Sequence, residues 1–138
     1  MATVELRFSP LPEHVRTARL VAAAVARRAG VDESVLDELR LAVGEACSRA
    51  VGLHQQVGKG GAVRVALIDQ EKRFVIEVGD GAGQVGEPAE PAGGSGDGAD
   101  PAEDALGLAV ITGLVEDLEV GQDDDGGLIR MSWPINPA

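Results

Sequence analysis

Residues 73–83 read Arg-Phe-Val-Ile-Glu-Val-Gly-Asp-Gly-Ala-Gly, a β-rich run that ends in glycines. Val, Ile and Phe favour a pleated, half-buried strand, whereas glycine weakens a strand interior. We therefore predict a strand that ends near Val78 and a loop that opens at Gly79. The glycines could bring backbone amides close to a ligand or could simply turn the chain, and the motif alone leaves both interpretations open. A dinucleotide-binding Rossmann turn does not fit, because no helix follows at the expected short distance.

On both sides of this segment, the spacing of apolar residues predicts the other elements. Strands are predicted where apolar residues alternate or where residues that favour strands cluster, and helices where apolar residues recur every three or four positions. The predicted elements are strand 3–8, helix 12–30, helix 32–54, strands 62–69 and 73–78, helix 105–115, and strands 118–120 and 128–133. The order β-α-α-β-β-loop-α-β-β predicts an α/β (α+β) two-layer sandwich, with helices on one face of a mixed, mostly antiparallel sheet.

The segment from Gly79 to Asp104 differs in composition from the rest of the chain. It is rich in Gly, Ala, Pro, Asp and Glu, and such a sequence buries too little apolar surface to order itself. Loops longer than about 15 residues inside a compact domain are either functional or disordered. We predict a single domain over residues 1–138 with a flexible lid at about 80–104, in which residues 84–103 are mobile in the free protein.

Charge and composition exclude several classes of function. The net charge is −11, and residues 74–138 carry 14 acidic side chains and a single basic one. This negative charge disfavours binding to the phosphates of a nucleic acid. Only 2% of residues are aromatic, so the chain also lacks the side chains on which bases would stack. With one cysteine and two histidines, structural zinc is not expected. No apolar run approaches the roughly 20 residues that span a bilayer and no basic-apolar leader begins the chain, so we expect a cytoplasmic protein.

The second predicted helix carries the side chains that could do chemistry. Glu45 and Arg49 are four residues apart and lie on one face, where they could form a functional pair or an ordinary stabilising pair. Cys47 falls on the apolar stripe and is expected to be a buried hydrophobic residue. His14 and His54 have no evident partner in the sequence, and we expect both at the solvated surface.

Three motifs together resemble a known family. The segments Glu45–Val51 on a helix, Val78–Gly83 after a strand, and Ala105–Leu108 opening a helix are similar to the N, G1 and G2 boxes of the histidine-kinase-like (GHKL, or Bergerat) ATPase fold. Within that fold the chain most resembles the anti-sigma factor serine kinases of bacterial partner-switching systems. The resemblance covers the chain from the first strand to Trp133 and is carried by the order and spacing of the boxes.

The resemblance implies a role for several positions. In the family, a helix Glu acts as base or water-positioner, an Asn four residues later ligates Mg²⁺, and the Asp of Asp-x-Gly-x-Gly binds the adenine amino group. A Gly-x-Gly at the end of the lid wraps the phosphates, and a Thr in a late strand supports the adenine. The corresponding positions here are Glu45, Arg49, Gly79, Gly81, Gly83, Ala105, Gly107 and Leu128.

Four of these positions depart from the family pattern. Arg49 replaces the Mg²⁺-binding Asn, Gly79 the adenine-binding Asp, Ala105 the first lid glycine and Leu128 the Thr. Asp80 could supply the missing acid only by a one-residue shift, which at a strand end turns the side chain to the other face. We therefore expect a degenerate ATP site, with ATP and Mg²⁺ as doubtful cofactors and no metal ligand at position 49.

The resemblance also implies partners. The favoured hypothesis is an anti-sigma factor that binds a sigma factor, is released by an anti-anti-sigma factor with a STAS domain, and forms a homodimer as its relatives commonly do. One alternative is an active ATP-dependent protein-serine kinase that phosphorylates the antagonist, with Glu45 as the catalytic residue. A second alternative is an interaction domain unrelated to sigma factors.

Overall fold

The computed structural model describes residues 2–57, 62–81, 111, 113–115, 117–123 and 126–135. The elements are β1 (Ala2–Phe8), α1 (Pro12–Ala29), α2 (Glu33–Val57), β2 (Val63–Asp69), β3 (Arg73–Gly79), β4 (Asp117–Asp123) and β5 (Gly126–Pro134). The predicted order of the five strands and the first two helices is confirmed, although the two C-terminal strands are longer than expected. The residues at 111, 113 and 114 are helical. The rest of the predicted helix 105–115, and the predicted lid beyond Gly81, lie outside the described residues.

The strands form one five-stranded sheet of order β1-β2-β3-β5-β4. All four described pairings are antiparallel, where a mixed, mostly antiparallel sheet was predicted. Strand β5 lies between β3 and β4. The last strand of the chain therefore pairs with β3, although a long segment and β4 separate the two in the sequence. This pairing places the end of β3 beside the start of β5, with Gly79 opposite Leu128.

Helix α1 begins and ends where its sequence predicts. Pro12 occupies the first turn, where its missing N–H costs nothing, and Gly30 caps the other end in the left-handed conformation at φ 107°. The Gly30 N–H donates to the carbonyls of Ala26 and Arg27. The buried positions of α1 are all alanines, so the helix can pack closely on α2 and the sheet.

Helix α2 supplies the central apolar stripe of the core. Asp32 precedes it and accepts a hydrogen bond from the Ser34 N–H at 3.1 Å, as expected for a residue at the start of a helix. The helix extends to Val57, beyond the predicted end at His54. With almost no aromatic residues, the core is filled mainly by Val, Leu, Ile and Ala from α1, α2 and the sheet, together with Phe74, Met131 and Trp133.

The two faces of the sheet differ in chemistry. Phe74, Ile76 and Val78 of β3 point into the core, and we call their side the inner face. The alternate residues of β3 lie on the outer face, where Glu77 forms an ion pair with Arg130 (3.8 Å) and Arg73 donates to Ser132 Oγ. No helix in the described part of the chain is long and apolar enough to cross a membrane.

Candidate functional site

Glu45 and Arg49 flank the buried stripe of α2. Both side chains are half-buried and lie one helical turn apart, and the Nε atom of Arg49 is shielded from solvent. Between them Cys47 is fully buried, and burial raises the pKa of its thiol to about 12. The prediction of a buried Cys47 is therefore confirmed. The prediction that Glu45 and Arg49 face the same side of the helix agrees with this placement.

The acid that follows β3 is buried. Asp80 has only 5% of its surface exposed, which is unusual for a carboxylate and requires polar partners. Its position continues the alternation of Phe74, Ile76 and Val78, so Asp80 belongs to the inner face and Gly79 to the outer face. If Asp80 rather than Gly79 is aligned with the acid of the family motif, that acid therefore lies on the side of the sheet that the helices cover.

Gly127 of β5 holds this carboxylate. Its N–H donates to both Asp80 Oδ1 and Asp80 Oδ2 at 3.1 Å, and the Asp80 N–H donates to the Gly127 carbonyl at 3.0 Å. A Cβ on residue 127 would lie 2.5 Å from Asp80 Oδ2. Glycine is thus required for this close approach of a backbone amide to the carboxylate. Gly127 was not among the predicted site residues, although the alternation along β5 could have pointed to it.

Gly81 follows the acid and lies close to His54 of α2. Gly81 has φ +62°, and a Cβ there would lie 2.2 Å from the Ala62 carbonyl oxygen and 3.5 Å from His54 Nε2. His54 is 3% exposed, and neither of its ring nitrogens has a hydrogen-bond partner among the described residues. The expectation of a surface position for His54 is therefore wrong. His14 is half-buried, with its ring centroid 6.0 Å from that of Phe8 in an edge-on contact.

The remaining predicted site positions fall into two groups. Some lie on the face of the sheet opposite to Asp80, and the others lie outside the described residues. Leu128 is half-buried and pairs with Gly79 on the outer face, so these two residues lie on the side of the sheet opposite to Asp80 and Gly127. Gly83, Ala105 and Gly107 lie outside the described residues, and their predicted contacts with phosphates stay predictions. The structure therefore brings together Asp80, Gly81, His54 and Gly127 at one end of the sheet.

Comparison with known proteins shows the family to which the chain belongs. The sequence profile of the histidine kinase-like ATPase domain matches residues 8–133 of the chain. The serine-protein kinase RsbW of Bacillus pumilus (strain SAFR-032) is 31% identical over 140 residues, covering 96% of this chain and 86% of that protein. The chain belongs to this RsbW family of histidine kinase-like ATPase domains. RsbW of Bacillus subtilis (strain 168) is 28% identical over 138 residues, covering 96% of this chain and 86% of that protein.

Family membership confirms the predicted fold class and the resemblance on which the predicted site residues depend. In the described part of this domain, the inner face of the sheet carries the buried acid Asp80, whose oxygens can accept hydrogen bonds from amino groups. Arg49 brings a permanent positive charge to α2, and a guanidinium has no lone pair to offer a metal ion. Among the described residues there is no group of three or more His, Cys, Asp or Glu side chains that could hold a metal ion.

Proposed function

We propose that this protein is an anti-sigma regulatory factor that binds a sigma factor and is released by a STAS-type anti-anti-sigma antagonist, with impaired binding of Mg-ATP. Membership of the RsbW family, which the sequence motifs relate to anti-sigma factor kinases, supports the regulatory role, while the name serine-protein kinase of the relatives that match 88–96% of the chain also keeps the kinase as a candidate. A sigma factor acts in the cytoplasm, so the proposal requires the protein to be there.

The observation that carries the nucleotide part of the proposal is Arg49 on α2. It stands four residues after Glu45, where the family resemblance expects an Asn that ligates Mg²⁺. The residues of this helix do not fit a bound Mg²⁺, because a guanidinium gives no electron pair and its charge would repel the ion. We therefore derive no phosphoryl-transfer step through a metal at this position.

Asp80 is the observation that favours the second candidate, an active protein-serine kinase. Its carboxylate lies on the inner face, so the acid that the resemblance requires for the adenine amino group has a counterpart here. The departure from the family pattern that affects nucleotide binding would then be Arg49 at the metal position. A domain of this kind could retain weak binding of the base, and Glu45 would be the residue assisting the substrate hydroxyl.

Two measurements separate the candidates. Isothermal titration with Mg-ATP should give no binding or only weak binding if the anti-sigma interpretation holds, and a low-micromolar dissociation constant would contradict it. Incubation of the wild type and of Glu45→Ala with the antagonist and Mg-ATP, followed by mass spectrometry, tests the kinase directly. Serine phosphorylation by the wild type that is lost in Glu45→Ala would establish the kinase.

Capture of a purified sigma factor tests the regulatory role itself. The proposal expects a complex with the wild type and with Glu45→Ala, which the antagonist dissociates. A chain that captures no sigma factor and no antagonist would instead be an interaction domain with other partners. Light scattering of the free protein in the same series establishes whether it forms the homodimer that the resemblance implies.

A further inference from the structure

Arg49 and the Asp80–Gly127 contact lie near the same end of the sheet. His54 is in the last turn of α2 and lies close to Gly81, which directly follows Asp80. Arg49 precedes His54 by five residues, which corresponds to about 7.5 Å along the helix axis. The C-terminal part of α2 therefore brings Arg49 to the level at which β3 ends.

Arg49 also lies on the flank of α2 that faces away from α1. A Cβ at Gly44 would lie 2.7 Å from Arg19 Cδ, so residue 44 marks the side of α2 that α1 covers. Arg49 follows Gly44 by five residues, which is a rotation of about 140° around the helix. Helix α1 packs against β2 and α2 against β3, and β5 lies on the other side of β3 from β2. The flank with Arg49 therefore faces the β5 side of the inner face, where Gly127 holds Asp80.

The two groups have opposite charge and complementary hydrogen-bonding capacity. The Asp80 carboxylate accepts from the Gly127 N–H, and its oxygens have lone pairs for further donors. The Arg49 guanidinium carries a permanent positive charge and only donates. A ligand that satisfies both groups has an amino group at one end and an anionic group at the other. A nucleotide with an amino-bearing base has this pattern, because a planar guanidinium binds phosphate oxygens in pairs.

Arg49 also determines the form in which such a nucleotide can bind. A guanidinium gives no electron pair to a divalent cation and repels it, whereas it attracts the bare phosphate chain. The position that does not fit Mg²⁺ therefore fits the phosphate itself. In electrostatic terms, a cation that belongs to the chain occupies the place of a cation that the nucleotide would otherwise bring.

The overall charge of the protein does not prevent this contact. The net charge of −11 works against any anionic ligand at long range. Exposed charges more than about 8 Å apart are largely screened at physiological ionic strength, whereas a direct contact with a half-buried guanidinium is screened much less. Glu45 lies on the same flank one turn before Arg49, and its carboxylate reduces the local attraction for phosphate.

We propose that Arg49 replaces the metal ion, so that this chain binds a nucleotide with an amino-bearing base in its metal-free form. Arg49 contacts the phosphate chain directly, and Asp80 accepts a hydrogen bond from the amino group of the base. The inference deepens the proposed function and rests on it for the nucleotide site. It means that the chain selects against the metal ion rather than against the nucleotide.

Isothermal titration of the wild type with ADP tests the sign of the metal effect. We expect ADP to bind in EDTA and its affinity to fall by about threefold or more in excess Mg²⁺, because the metal neutralises the charge that Arg49 attracts. Inosine diphosphate, which has an oxygen in place of the amino group, and inorganic pyrophosphate, which has no base, should both bind more weakly than ADP in EDTA.

Variants of Arg49 separate its charge from its shape. Arg49→Ala should lower the affinity for ADP in EDTA by about tenfold or more, as for the loss of a charged hydrogen bond. Arg49→Lys should retain part of the affinity, because a point charge remains without the planar fork. Arg49→Asn should invert the metal effect, so that Mg²⁺ strengthens binding. Arg28→Ala is the matched control, since it removes one positive charge from an exposed position of α1, and it should change the affinity by less than about twofold.

A variant of Glu45 tests the local electrostatics. Glu45→Gln removes the carboxylate that opposes the phosphate and keeps the size of the side chain. Its affinity for metal-free ADP should therefore be higher than that of the wild type. A lower affinity would mean that the phosphate chain does not approach this flank of α2, and would contradict the inference.

Several other outcomes would overturn the inference. These are stronger binding of ADP by the wild type in Mg²⁺ than in EDTA, equal affinities of Arg49→Ala and the wild type, an equal loss in Arg28→Ala, and binding of pyrophosphate or inosine diphosphate as tight as that of ADP. If the wild type captures a sigma factor but binds no metal-free ADP, the inference fails while the regulatory role stands. If ADP binds as expected but neither a sigma factor nor an antagonist is captured, the regulatory role fails while the nucleotide site stands.

Discussion

The Gly127 N–H donates to both carboxylate oxygens of Asp80 at 3.1 Å, and the Asp80 N–H donates back to the Gly127 carbonyl at 3.0 Å. These contacts join the end of β3 to the start of β5, two segments that are 47 residues apart in the sequence. A buried carboxylate is costly unless hydrogen bonds compensate for lost hydration, and the Gly127 amide supplies part of that compensation. The acid is therefore fixed in place by the sheet itself.

Gly127→Ala should destabilise the domain. The new methyl group would lie 2.5 Å from Asp80 Oδ2, so either the carboxylate or β5 must move. We expect a loss of about 1–3 kcal/mol in the free energy of unfolding, as is typical of overpacking. Urea denaturation measures it. Gly121→Ala in the neighbouring strand β4 is the matched control, because a Cβ there meets nothing within 4 Å. Equal stabilities of the two variants would contradict the Asp80–Gly127 geometry.

Gly81→Ala should be more damaging, because two effects act together. The φ of +62° disfavours any residue with a Cβ, and that Cβ would lie 2.2 Å from the Ala62 carbonyl oxygen, which belongs to the backbone and cannot rotate away. We expect more than about 2 kcal/mol of destabilisation in thermal or urea unfolding. Gly113→Ala, at a helical position with open space around it, should be neutral or stabilising by up to about 1 kcal/mol. An unchanged stability of Gly81→Ala would contradict the close approach of Gly81 to the Ala62 carbonyl oxygen.

Arg49→Asn should raise affinity for Mg-ATP by about tenfold or more, because an amide oxygen replaces a guanidinium that repels the metal ion. Arg49→Ala removes the charge without supplying an oxygen, and its affinity should rise less. Isothermal titration with and without Mg²⁺ measures both.

Asp80→Asn added to Arg49→Asn should reverse most of that gain, because the variant loses a carboxylate on the inner face. Gly79→Asp in the same background should have little effect, since residue 79 lies on the outer face. A large gain from Gly79→Asp would instead support the assignment of Gly79 as the position equivalent to the adenine-binding acid.

Cys47 should resist thiol reagents in the folded protein. Burial raises the pKa of its thiol to about 12, so only about one molecule in a thousand carries the thiolate at pH 9. An unfolded cysteine has a pKa of about 8.5. The folded-state pKa lies above that value, so this group's contribution to stability is complete below about pH 8.5 and is lost as the pH rises toward 12. An aryl disulfide reagent at pH 8.5 should therefore react at the rate of unfolding, and rapid labelling would refute the burial.

Local patterns were sufficient to predict most of the elements. Alternation predicted β1, a high content of β-branched and aromatic residues predicted β2 and β3, and apolar residues at three- and four-residue spacing predicted α1 and α2, because each pattern depends only on neighbouring positions in the chain. Pro12 and Gly30 marked the ends of α1 because a fixed φ and a left-handed φ are properties of single residues. The family motifs in turn led from these elements to the correct fold class.

The sequence by itself determined the elements, their order and the family, whereas the tertiary structure decided which face of the sheet carries each candidate residue. Side chains in a strand change face at every residue, so a one-residue difference in alignment exchanges Asp80 for Gly79 and Gly127 for Leu128. Only the pairing of β3 with β5 shows that Asp80 and Gly127 share the inner face. The burial of His54 depends likewise on the approach of Gly81 to α2, which requires the sheet to be folded against the helix. Local spacing carries no information about such contacts, because they join segments that are distant in the chain.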